Sequence, residues 1–159
     1  MVERFAETVE TQPELVAHHY TEAGLAEQAI LYWQQAGQRA NQRSAYAEAI
    51  SHLTKGLELL KTLPDTPEYV QQKLGLQLAL GESLIATKGY SASKVGQIYA
   101  RARELCRRVG ETPQLFTVLA GLSAFHTIRG ELRAGHEVHR QRLRVAESIQ
   151  SPALLQTAH

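Results

Sequence analysis

The chain has 159 residues, 43% hydrophobic, 21% charged and 6% aromatic, with a net charge of +1. That length suits one domain with a real core. Its single cysteine, Cys106, excludes an internal disulfide and a four-cysteine zinc site, no apolar run approaches the roughly 18 residues of a membrane span, and near-zero net charge gives no global pull toward nucleic acid or anionic membrane.

Residues 1–10 hold Glu3, Glu7 and Glu10 and no long apolar stretch, unlike a secretory leader. They read as a linker, and 11–159 as one helical domain of a cytoplasmic protein. Thr11 and Glu14 stand at capping-box spacing, with Pro13 where its missing N–H is harmless. A first helix is predicted over 12–23, closed by Gly24, where a left-handed cap is cheap. A second over 26–42 aligns Ala26, Ala29, Ile30, Trp33, Ala36, Gly37 and Ala40. A third over 45–62 aligns Tyr46, Ala49, Ile50, Leu53, Leu57 and Leu60, both at three-and-four spacing. Thr66-Pro67 opens a fourth over 67–87, closed by Gly89. A fifth over 93–109 stops at Gly110. Thr112-Pro113 opens a sixth over 113–129, with Leu115, Leu119, Leu122 and Phe125 on one stripe and Gly130 at its end. A seventh runs over 132–149, and Ser151-Pro152 begins an eighth. In each hydroxyl–proline pair the side-chain oxygen can cap an orphan amide. Short loops make successive helices pack antiparallel, and no alternating strand pattern is present.

Small residues interrupt the stripes: Ala29, Ala36, Ala49, Gly56 and Ala102 sit where leucine is the usual core choice. They allow two helix axes to approach closely. Repeated pairs of this kind predict a stacked superhelix, all-α, of about seven antiparallel helices plus the start of an eighth.

Tyr20, Gly24, Ala29, Trp33 and Ala36, at offsets 0, +4, +9, +13 and +16, resemble the second half of a tetratricopeptide repeat. Leu80-Gly81, Tyr99 with Ala102, and Gly130 with Gly135 resemble further pieces of it. In the last pair, His139 and Arg142 stand where an apolar and a small residue are expected, unless the register shifts onto Val138, Leu143 and Ala146. Pro67 to Pro113 is 46 residues and Pro113 to Pro152 is 39, longer than the usual 34. Pro13–Gly24, Ala29–Ala40 and Gly110–Phe116 are similar to the C-terminal repeat region of large bacterial proteins that join a class III adenylate or guanylate cyclase domain to an ATPase domain. The resemblance implies a right-handed α–α solenoid, a section of a longer array, with Tyr20, Gly24, Ala29, Trp33, Ala36, Ala49, Leu53, Gly56, Gly81, Tyr99, Ala102 and Gly130 as repeat-packing residues. Helix two can pair with helix one or helix three, while the Thr-Pro punctuation favours pairs four/five and six/seven.

Signs of catalysis are weak. Neither a GxxxxGK[ST] nor a GxGxxG loop occurs. Gly81-Glu82-Ser83 lacks the closing glycine and the strand of a nucleophile elbow. Cys106 lies on an apolar stripe with Ala102 and Val109 and reads as a buried thiol. His136 and His139, three apart, could clamp a metal with His126 or Glu137, but no HExxH supports this. No cofactor or metal is expected.

The resemblance implies a non-catalytic interaction or regulatory module whose concave surface takes a protein, a peptide or a neighbouring domain. The chaperone-binding members' clamp is unsupported, since Thr11, Glu14 and His18 occupy its positions. On the sixth helix the corresponding surface is Thr117, Ala120, Gly121, Ala124 and Thr127, a small, weakly polar strip suited to a helix. Two alternatives remain. Residues 1–79 hold 6 basic and 10 acidic side chains and residues 80–159 hold 11 and 6, so the arginine-rich second half could bind acidic protein or nucleic acid. An enzyme using His126, His136 and His139 is the other. An uncovered eighth helix would also allow homodimerisation.

Overall fold

The computed structural model describes residues 11–110 and 113–149, and every regular element among them is an α-helix. In chain order these are α1 (Pro13–Glu22), α2 (Ala26–Gln42), α3 (Tyr46–Leu60), α4 (Pro67–Lys88), α5 (Ser93–Val109), α6 (Pro113–Ile128) and α7 (Leu132–Ser148). Each described end falls within two residues of its predicted position. The predicted linker 1–10, Thr112 and the predicted eighth helix from Ser151 lie outside the described residues.

The punctuation acts through identifiable hydrogen bonds. Thr66 Oγ1 accepts from the Tyr69 amide at 3.4 Å, capping α4. The Thr11–Glu14 box is a correction. With Pro13 opening α1, the cap position falls on Gln12, which makes no side-chain capping bond. Thr11 is therefore one residue too early, although Glu14 still meets the positive end of the helix dipole.

Three turns share one design. Leu25, Ala45 and Glu131 each donate their amide to the carbonyl five residues back, at 2.9, 2.8 and 2.8 Å respectively for Tyr20, Ala40 and His126. The preceding residues Gly24, Ser44 and Gly130 have φ of +72°, +61° and +75°. This is the Schellman arrangement, which satisfies the last carbonyls of a helix through one left-handed residue. Two turns use glycine, and the third forces Ser44 into a conformation that costs an L-residue roughly 1–2 kcal/mol. Ser44→Gly is therefore expected to stabilise the chain by about 0.5–1 kcal/mol after the entropic cost of glycine. A higher urea midpoint at unchanged m-value checks this.

The chain divides into two compact units, residues 1–86 and 87–159. In the first, α2 packs against both α1 and α3, which answers the pairing question of the sequence: helix two is shared. Ala17, Ala29 and Trp33 form a buried cluster bordered by Tyr20, Tyr32 and Leu59. Ile30, Leu53, Leu74 and Leu76 are fully buried. In the second, α6 packs against α5 and α7, around Val95, Cys106, Val118 and Leu119. Successive helices within these groups run antiparallel, as short loops require.

Candidate functional site

Gly24 and Gly130, two of the residues assigned to packing, are exposed turn residues. Ala29, Trp33, Ala36, Ala49, Leu53, Gly56, Gly81, Tyr99 and Ala102 are buried. Tyr20 is half-buried and stacks on Tyr32, with ring centroids 5.5 Å apart and planes 8° apart. The Trp33 indole N–H donates to Thr21 Oγ1 at 3.0 Å, and that hydroxyl donates to the Ala17 carbonyl at 2.8 Å. Its ring stacks on His52 at 5.4 Å, and Lys55 Nζ lies 4.6 Å from its centroid. These aromatics are committed to the fold rather than presented to a ligand.

Burial, reinforced by Lys55, pushes His52 below its usual pKa of 6.5. The unfolded chain then binds the proton first as pH falls. The stability associated with neutral His52 is present above about pH 6.5 and is lost on acidification through the folded pKa. His52→Gln should flatten the fall in urea midpoint between about pH 7 and 5; an unchanged slope would remove His52 as its source. Cys106 is fully buried, and burial raises its thiol pKa to about 11. It therefore has little thiolate near neutrality.

The five-residue strip on α6 is not continuous. Thr117 and Thr127 are exposed, and Ala120 and Ala124 are half-buried. Gly121 is buried: a Cβ added there would lie 2.5 Å from the Tyr99 ring. Gly121 is a close-approach residue between α5 and α6, and it divides the strip. Gly96 of α5 meets Phe125 of α6 in the same way, at 2.5 Å.

The three histidines of the enzyme alternative do different things. His126 Nδ1 lies 2.6 Å from Glu131 Oε2, and Arg129 Nε donates to Glu131 Oε1 at 2.9 Å. The Arg129 and His126 hydrogen bonds hold the Glu131 carboxyl below its usual pKa. Arg129 also donates to the Ser91 carbonyl at 3.2 Å, so this cluster clasps the α6–α7 turn to the start of α5. His136 and His139 instead line a groove of about 420 Å³ with Ser123, Thr127, Leu132 and Gly135. Leu132 of this lining is 71% exposed, and Ile128, the last residue of α6, is 58% exposed. Among the described residues, no three His, Cys, Asp or Glu side chains converge as metal ligands. Part of the arginine surface is internally paired: Arg107 with Glu104, and both Arg140 and Arg144 with Glu137.

Sequence reasoning missed one polar cluster. Asn41 Nδ2 donates to the Ala79 carbonyl at 3.0 Å, and Ser83 Oγ donates to Asn41 Oδ1 at 2.6 Å. Both side chains are buried. The available signal was an asparagine at the end of the α2 stripe, a residue type rarely buried without a partner.

The α6–α7 groove is thus an open surface that combines apolar and ionisable side chains. No helix among them is long and apolar enough to cross a membrane. No family model matches the chain. Among curated proteins, it is 33% identical over 108 residues to an uncharacterized protein of Rhizobium meliloti (strain 1021). The match covers 67% of this chain and 10% of that protein. The chain thus resembles a small section of a much longer bacterial protein.

Proposed function

We propose that the chain is a non-catalytic protein–protein interaction module, a tetratricopeptide-like segment of a right-handed α–α superhelix. In this reading it serves as sensor or scaffold in a larger cytoplasmic bacterial signalling protein that carries ATPase or nucleotide-cyclase domains. The observation that carries the reading is the Schellman turn used three times with the same hydrogen bonds. One turn geometry recurring between helices that meet through small residues is compatible with a repeat array. Glycines covered by Leu53, Leu76, Phe125 and Tyr99 supply the close approaches. The far greater length of the Rhizobium relative is consistent with a section of a longer chain.

The test is selection from a displayed library of helical peptides, with the 159-residue chain as bait. The expected result is an enriched amphipathic pattern whose synthetic peptides bind at about micromolar dissociation constants in calorimetry. No enrichment over a bait-free control would overturn the reading.

A further inference from the structure

The α2–turn–α3 segment of the first unit and the α6–turn–α7 segment of the second correspond when residue numbers are shifted by 86, which brings Ser44 onto Gly130. Buried positions coincide, among them Ile30 with Phe116, Trp33 with Leu119 and Leu60 with Ala146. The same shift carries α1 onto α5. Buried Val16 meets buried Ala102, and Gly24 meets Gly110, both at positive φ. One place breaks the likeness. In the first unit, Ala17 lies in the buried cluster with Trp33, whose ring stacks on His52 with Lys55 Nζ beside it. Their counterparts are Arg103, Leu119, Val138 and Gln141. A small alanine beside a large ring in one unit thus becomes a large cation beside a leucine in the other.

Arg103 is half-buried on α5, and its Nη2 donates to Gln141 Oε1 of α7. Its Nε is buried and has no hydrogen-bond partner. Nε and Nη2 form one edge of the guanidinium, and a carboxylate fills such an edge with two parallel hydrogen bonds. A single amide oxygen engages only half of it. The charge is uncompensated as well. None of the ion pairs among the described residues includes Arg103: Glu104 is taken by Arg107, Glu131 by His126 and Arg129, and Glu137 by Arg140 and Arg144. Sheltering a cation from water without a counter-charge is costly, and so is an orphaned N–H. An anion on this edge removes both costs. Residues 80–159 hold 11 basic and 6 acidic side chains, so the surrounding field draws anions toward it.

We propose that Arg103 and Gln141 form a recognition site for one acidic side chain of a protein partner. The carboxylate displaces the Gln141 amide oxygen and accepts from Arg103 Nε and Nη2 together. Rotated, the half-buried Gln141 offers its amide N–H groups to the same carboxylate.

That the carboxylate belongs to a partner rests on the interaction-module reading, and the test separates the two. The probe is acetate, titrated into the isotope-labelled full chain beside chloride and phosphate at matched ionic strength. The readout is the Arg103 Nε–H signal in nitrogen–proton NMR spectra, assigned by its loss in Arg103→Lys. Acetate is expected to move this signal saturably, with a dissociation constant of about 10–100 mM, and chloride to leave it in place. Gln141→Glu puts a carboxylate on the edge permanently. It should raise the urea midpoint and weaken acetate binding by about fivefold or more. No saturable shift, an equal shift with chloride, undiminished acetate binding by Gln141→Glu, or a lower midpoint in that variant would overturn the site. Saturation by phosphate but not by acetate would overturn the carboxylate as its ligand. If acetate binds as expected and the peptide library yields no enrichment, the anion site stands and the module reading falls. If selected peptides bind Gln141→Glu as tightly as the original chain, the module reading stands and the recognition site falls.

Discussion

Gly121→Val is expected to destabilise the chain by about 3 kcal/mol, because it forces apart two helices at one of their close approaches. A Cβ at this position would lie 2.5 Å from Tyr99 Cε1 and 2.7 Å from Cζ. Tyr99 is only 6% exposed, so its ring has no open path away from the added atoms. The gain in helix propensity on replacing glycine, at most about 1 kcal/mol, does not offset that overlap. The decisive measurement is a double-mutant cycle by urea denaturation. Tyr99→Ala alone should cost about 3–5 kcal/mol through the cavity it leaves. In the double variant the valine methyls enter that cavity, so the combined loss should fall short of the sum by about 1–2 kcal/mol. Strict additivity would mean that the two positions are not in contact.

The same glycine shows where sequence reasoning reached its limit. Helix ends were legible because proline and glycine act locally: Pro67 opens α4 and Pro113 opens α6, while Gly24, Gly89, Gly110 and Gly130 all adopt positive φ. Ser44 does so too. No composition rule singles out a serine, and the turn there was placed from the flanking stripes alone. Small residues read as close-approach positions on α2, α3 and α5, Ala102 being the last of them. Gly121 instead reads from the sequence as part of an open strip, because the side that a small residue faces depends on which neighbour supplies the large one. That neighbour, Tyr99, is 22 positions away in the sequence. The alternative register on α7 is borne by Val138 and Ala146, both buried, while Leu143, His139 and Arg142 are half-buried. Arg142 tolerates its site because its guanidinium lies over the Phe116 ring. As for the histidines, spacing placed His136 and His139 on one face but could not reveal that His126 is drawn to Glu131 across the turn.

A second large effect is expected at the Asn41–Ser83 contact, and its direction is asymmetric. Ser83→Ala removes the hydroxyl that donates to Asn41 Oδ1 at 2.6 Å, leaving a buried amide oxygen without that donor, at a cost of about 1–3 kcal/mol. Asn41→Leu, nearly the same shape, removes the acceptor instead. The Ser83 hydroxyl then turns fully to the Ala79 carbonyl, 3.1 Å away on its own helix, so no comparable polar group is stranded. The expected loss is smaller, about 1 kcal/mol or less. Asn41→Leu/Ser83→Ala eliminates both partners together and should recover most of the loss of Ser83→Ala, because replacing a matched polar pair by apolar groups avoids the desolvation penalty of an orphan. Urea midpoints for the four proteins decide it. A double variant less stable than Ser83→Ala would show that the pair contributes net stabilisation to α4 rather than mutual satisfaction. If the double variant is as stable as predicted, amide exchange along α4 gives the complementary readout: loss of the directional bonds from α2 should lower protection at Ser83 and the residues around it even where global stability is kept.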